Sequence, residues 1–171
     1  VINMNQDPSW QMSPNHKETL EALFGVIEKD NITKIVDMGS GRTSMQFLTD
    51  YFKDIIITGI IFPGDDRKTN PVKECVTNTN YEIVEQDIKD FNENQEIDIV
   101  LAHLFLGEAE KFAENKFEEI LDKLFSIKTK YLVLVNMFSD KIDYNLLLKK
   151  IAEKGEILKL EHSVSRSGNE Y

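Results

Sequence analysis

Cysteine occurs once in this chain of 171 residues, at Cys75, proline four times and tryptophan once. One cysteine has no partner for an internal disulfide and cannot found a cysteine-based zinc site. No apolar run approaches the roughly 20 residues that a membrane-spanning helix needs. The longest such stretches are Ile55–Phe62 and Ile97–Gly107. With no signal peptide either, the expected compartment is the cytoplasm. Metal-ligand spacing of His, Cys and Asp, a Gly-x-Ser-x-Gly elbow and a phosphate-binding Walker loop are all missing. Positive charge is scarce as well: 20 Lys and Arg stand against 30 Asp and Glu, a net −10. The deficit lies in residues 1–110, with 9 basic and 20 acidic side chains. Such a chain has no net field to attract phosphates, which makes nucleic acid a poor fit as a partner.

What is present is ordinary globular composition, 41% hydrophobic and 29% charged, in a length suited to one domain. Residues 1–12 are polar and aperiodic and are expected to form a flexible arm, with residues 13–171 as a single domain. Ser13-Pro14-Asn15 opens a helix whose Leu20, Leu23, Phe24 and Ile27 share one apolar face. Strand-like and helix-like units then alternate. Strands are predicted at Lys34–Asp37, Ile55–Phe62, Tyr81–Val84, Ile97–Ala102, Tyr131–Val135 and Ile157–Val164. Helices are predicted around Phe47–Phe52, from Asn70-Pro71 to Val76, at Phe117–Leu124, and at Tyr144–Ile151, ending at Gly155. Uninterrupted alternation predicts an α/β fold, a three-layer, doubly wound and mostly parallel sheet. Ligands of such sheets bind beyond the carboxyl ends of the strands, so the residues just after each strand are the ones to interrogate.

After the first strand stands Asp37-Met38-Gly39-Ser40-Gly41-Arg42-Thr43. Two glycines allow a sharp turn and close approach of a ligand to the main chain, and the helix behind offers unpaired N–H groups to an anionic group. Lys34–Gly41 resembles motif I of the class I (Rossmann-like) S-adenosylmethionine-dependent methyltransferases, an acidic residue followed by x-Gly-x-Gly. The resemblance spans residues 13–164. It implies the Rossmann-like fold, with S-adenosylmethionine as cofactor. Gly39, Ser40 and Gly41 would line the methionine part, and Asp37 would orient the amino group. Thr43 stands where a third glycine is common. A dinucleotide-binding Gly-x-Gly-x-x-Gly would need Gly or Ala at Ser44, which weakens an oxidoreductase reading.

The resemblance also implies roles at the later strand ends. An acid should follow Thr58-Gly59-Ile60 to bind the ribose, but Ile61 stands there; Asp65 and Asp66, in the next loop, are the candidate substitutes. Asp87 and Ile88 would meet the adenine. After strand four, Ala102 would line the cofactor site, His103 is the candidate general base, and Glu108 or Glu110 its partner. Phe105 and Phe112 are candidates for a substrate-facing wall. No Asn/Asp-Pro-Pro-aromatic sequence and no Pro-Cys follows strand four, which leaves a small molecule or a protein as acceptor. Ser165–Tyr171 is too short and polar for the seventh strand of the family, so the last edge strand is expected to be missing, and an open edge favours a homodimer. The leading expectation is therefore a methyltransferase. The alternative is a non-catalytic S-adenosylmethionine-binding or protein-interaction domain on the same fold.

Overall fold

All four residues of Ile35–Met38 (β1) are buried, as expected of a parallel strand covered on both faces. The computed structural model describes residues 14–106, 117–136 and 142–161. Within them β1 lies at the centre of a five-stranded sheet with Ile57–Ile61 (β2), Tyr81–Glu85 (β3), Ile97–His103 (β4) and Thr129–Val135 (β5). The order is β3-β2-β1-β4-β5, and every pairing is parallel. The order reverses at β1, between β2 and β4. That is the switch point at which such sheets open a crevice.

Among the described residues the sheet is covered by the α-helices Pro14–Phe24 (α1), Arg42–Tyr51 (α2), Asp66–Cys75 (α3), Phe117–Ser126 (α4) and Tyr144–Lys154 (α5). Strand side chains alternate between faces, and the two faces collect separate cores. Ile35, Ile57 and Leu101 pack with Leu20, Phe24, Met45, Leu48 and Val72, so α1, α2 and α3 share one face. Val36, Met38, Ile60 and Val100 pack with Ile120, Leu124 and Leu147, so α4 and α5 share the other. This is the three-layer architecture that the alternating pattern predicts.

Two boundaries differ from the sequence reading. Helix α3 begins at Asp66, not at Asn70, and carries Pro71 inside it. The Phe62-Pro63-Gly64-Asp65 turn, closed by the Asp65 N–H on the Phe62 carbonyl at 3.0 Å, starts the helix early. Pro71, in the middle of the helix, then costs it one backbone hydrogen bond. The sixth strand is not formed over residues 157–161. Ile157, Leu158 and Leu160 are 53%, 53% and 81% exposed, so the apolar run finds no face to cover; residues 162–164 lie outside the described residues. The outer edge of β5 thus has no strand neighbour among the described residues. The expected arm, residues 1–12, also lies outside them.

The end of the sheet away from the crevice is pinned by Asp98. Its Oδ2 accepts the backbone N–H groups of Thr33 (2.9 Å) and Lys34 (3.0 Å), and Lys130 pairs with Oδ1 at 3.2 Å. Burial works to raise the Asp98 pKa, but the two backbone donors, Lys130 and the Thr33 hydroxyl together hold it below the usual 3.8. Its stabilisation is therefore present above the usual value and is lost as pH falls through the lowered one. Asp98→Ala is expected to lower unfolding free energy by about 1–3 kcal/mol at neutral pH, measured by urea denaturation. The difference from wild type should shrink in acid.

Candidate cofactor cleft

The glycine loop is built around a carboxylate that water does not reach. Asp37, third residue of β1, has no exposed surface. Its Oδ2 accepts two hydroxyl hydrogen bonds, from Ser40 and Ser44, each at 2.6 Å. Its Oδ1 has no hydrogen-bond partner among the described residues. Ser44, in the first turn of α2, also accepts the Gly41 N–H at 3.2 Å, so one hydroxyl ties strand, loop and helix together. Burial raises the Asp37 pKa from 3.8 to about 7, against the two serine hydrogen bonds and the positive charge of Lys68, which lower it.

Two glycines shape the loop for steric reasons. Gly39 has φ +68, and a β-carbon there would stand 2.5 Å from Cδ2 of Phe105. Gly59 in β2 leaves room for the loop: a β-carbon would approach the Ser40 hydroxyl to 2.9 Å and Met45 Cε to 2.7 Å. The Ser40 N–H reaches across to the Ile60 carbonyl at 2.9 Å. The loop is thus fastened to β2 at the height where β2 ends.

Beyond these strand ends a cleft of about 660 Å³, open mouth included, is lined by Met38, Gly39 and Ser40 from the loop. Ile60, Ile61, Phe62, Asp65 and Lys68 line it from β2 and the start of α3, and Gln86, Asp87, Ile88 and Lys89 from the end of β3. Phe105 and Ile120 close its apolar side.

The structure sorts the candidate residues. Gly39, Ser40, Asp65, Asp87 and Ile88 line the cleft, while Asp37 lies beneath the loop and Gly41 caps α2. Asp65 is buried and its Oδ1 pairs with Arg67 Nε at 3.3 Å. Its other oxygen accepts no hydrogen bond among the described residues. Asp66, by contrast, is exposed and lines a polar groove between α3 and β3. The turn at Pro63-Gly64 sends the two adjacent carboxylates apart, and the expectation that Asp66 faces the site is corrected. Asp87 caps a 3₁₀ turn, accepting the Lys89 N–H at 3.0 Å and pairing with its ammonium at 3.4 Å. Thr43 sits in the first turn of α2 and does not line the cleft. Ala102 does not line it either: it is fully buried in the core beneath α4.

His103 ends β4 and is 7% exposed, on no wall of the cleft. The next residue, Leu104, takes φ +55, and Phe105 turns back over Gly39. Phe105 is therefore part of the cleft, the wall role expected of it now placed against the glycine loop. Glu108, Glu110 and Phe112 lie outside the described residues. The sequence reading missed Ser44, Gly59, Lys68 and Ile120. Ser44 was legible in the first turn of α2; Lys68 and Ile120 carried no signal, because only packing brings them to the loop. Among the described residues no group of three His, Cys, Asp or Glu could hold a metal. No helix among them is long and apolar enough to cross a membrane.

Known proteins with this architecture are found by structure and not by sequence. No family model and no curated protein matches the chain. Among solved structures, the plantazolicin methyltransferase BpumL in complex with a monoazolic desmethyl analogue and SAH superposes with a TM-score of 0.53 at 18% identity, over 81% of this chain and 55% of its own. LepI in complex with SAH and a substrate analogue gives 0.59 at 12% identity, over 93% and 47%. An rRNA methylase from Escherichia coli gives 0.52 at 16% identity, over 95% and 65%. The chain spans between about half and two-thirds of the length of these structures. At such identities the likeness is one of fold.

Two expectations follow from the loop. The Asp37 carboxyl binds a proton more tightly folded than unfolded, so its contribution to stability is full below pH 3.8 and is lost as pH rises to about 7. Asp37→Asn should match wild-type stability in acid and exceed it above neutrality, by up to about 4 kcal/mol, in ligand-free thermal or urea unfolding. Gly39→Ala combines an unfavourable φ with a clash, and should destabilise by about 2 kcal/mol. Adding Phe105→Ala should recover the clash but not the backbone strain, as a double-mutant cycle will measure.

Proposed function

We propose that this chain, which has the Rossmann-like fold of the class I methyltransferases, binds S-adenosylmethionine in the cleft over Gly39–Gly41 and transfers its methyl group to an acceptor. The observation that carries the reading is the loop itself. A fully buried acid lies beneath two glycines at the switch point of the sheet, and among the described residues one of its carboxylate oxygens has no hydrogen-bond partner.

The residues present fit that cofactor. Asp37 Oδ1 is an acceptor in want of a donor, as the cofactor's ammonium would be, directly or through water. Asp65, with one oxygen not hydrogen-bonded by the protein, takes the ribose hydroxyls in place of the acid that Ile61 displaces. Asp87 and Ile88 hold the adenine at the end of β3, where Ile60, Ile88 and Phe105 offer apolar surface. When bound, S-adenosylmethionine supplies a methyl group activated by its sulfonium. The protein's part is to bind, to exclude water through Phe105 and Ile120, and to take the acceptor's proton. His103, at the tip of β4, is the base of this reading, with Glu108 as its partner. The acceptor is a small molecule or a protein. The structural neighbours include a methyltransferase of plantazolicin and a methylase of rRNA, so the fold does not select among acceptor classes.

A second reading has one observation in its favour: His103 is buried and off the cleft wall. On that reading the chain binds the cofactor without catalysing transfer. Calorimetry with S-adenosylmethionine and S-adenosylhomocysteine tests both. One-to-one binding that weakens about tenfold in Asp65→Asn is expected, from loss of a charge-assisted hydrogen bond; absence of heat with either nucleoside would overturn the cofactor reading. For any acceptor that wild type methylates, His103→Ala should keep cofactor affinity and lose 10²- to 10⁴-fold in turnover, on the order of a general base. Unchanged turnover would remove His103 from the reaction.

A further inference from the structure

Strand β3 has a neighbour on one side only among the described residues. Ile57 gives its N–H to the Asn80 carbonyl at 3.0 Å, and Gln86 gives its own to the Ile61 carbonyl at 2.9 Å. Backbone groups of a strand turn alternately to its two edges, so Glu82 and Val84 bond to β2. The N–H and C=O groups of Tyr81, Ile83 and Glu85 face outward, and among the described residues no hydrogen bond takes them.

These three residues also line the polar groove between α3 and β3, with Thr69 and Lys73 lining it from the helix. The open edge of the ladder therefore faces a trough that has a helix for its other wall. Thr69 is 6% exposed, and its Oγ1 has no hydrogen-bond partner among the described residues. A buried hydroxyl of that kind is costly unless something bonds to it. Three carboxylates, Asp66, Glu82 and Glu85, line the groove against the single ammonium of Lys73. Two copies of β3 meeting edge to edge would bring Glu82 and Glu85 against their like, which is unfavourable across a strand pair. The same acids disfavour a nucleic-acid backbone.

We propose that this groove takes an extended basic segment of a partner protein as an added strand, paired through the outward backbone groups of Tyr81, Ile83 and Glu85. Backbone pairing supplies the affinity, and the acids select lysine and arginine side chains over acidic ones. The groove shares no lining residue with the cofactor cleft, since Asp65 goes to the cleft and Asp66 to the groove. The segment therefore docks whether or not a nucleoside is bound.

The probe is a blocked peptide of about eight residues alternating lysine and valine, one strand in length. The same peptide with glutamate in place of lysine is the control. By calorimetry the basic peptide should bind wild type about tenfold more tightly than the acidic one, with affinity falling as salt rises. In amide hydrogen exchange read by NMR, saturating basic peptide should slow Tyr81, Ile83 and Glu85 by about tenfold and leave Glu82 and Val84 unchanged. The double variant Glu82→Lys/Glu85→Lys should reverse the preference between the two peptides. Equal binding of both peptides, an unreversed preference, binding without protection of those three amides, or no binding would each overturn the proposal. So would protection of the same amides before peptide is added, lost on dilution, which would assign the edge to a second copy of the chain.

Discussion

A carboxylate with no water around it has to be answered by the protein, and the crevice of this fold is organised by that demand at Asp37. Two hydroxyl donors at 2.6 Å are the answer. Ser40 can give its hydrogen bond only if the loop turns sharply after Met38, which requires the left-handed backbone of Gly39. Ser44 can give its own only if α2 starts immediately after Gly41. Each restraint leads to another: the turned loop puts Ser40 against β2, where only a glycine at position 59 leaves space for it. One buried acid thus sets the path of the chain from β1 into α2 and its distance from the neighbouring strand.

Burying an ionisable group with one oxygen unsatisfied is costly to the ligand-free protein, and the cost appears as a pKa near 7. Strain and unsatisfied polar groups of this kind collect where a fold binds something. The adjoining features point the same way. Among the described residues Lys68 has no ion-pair partner and one Asp65 oxygen no hydrogen bond, and Leu104 takes a left-handed backbone just before the ring that packs on Gly39. The sheet is held by its two apolar cores and, at the opposite end, by the Asp98 staple, whose acid is fully satisfied and has its pKa lowered. The contrast between Asp37 and Asp98 separates the end of the sheet that carries the cleft from the end where the buried acid is fully answered.

The cleft straddles the end of the sheet, with Ile61 from one core and Met38, Ile60 and Phe105 from the other, and His103 is on none of its walls. Met38, Ile60 and Phe105 belong to the core beneath α4 and α5, whereas His103 follows Leu101 by two and so points with it toward the α1 and α2 side.

Much of this was legible in the chain itself. The apolar runs specified β1, β2 and β4, and the 3.6-residue periods specified the inward faces of α1, α2, α4 and α5, because burial on one face or on both is written in local spacing. The Asp-x-Gly-x-Gly segment after the first strand announced where the crevice would open. The course of the chain around Pro63-Gly64 was not legible. Neighbouring Asp65 and Asp66 are chemically equal in sequence, and only the turn and the early start of α3 send one into the cleft and the other away. Ile157–Leu160 has the composition of a strand, but composition does not supply a partner edge, and those side chains remain exposed. Local spacing thus determined which segments would be strands and helices and which loop would hold the site. Which charges stand unanswered around that loop was decided by tertiary structure alone, since a charge is satisfied by whatever the fold places within reach of it.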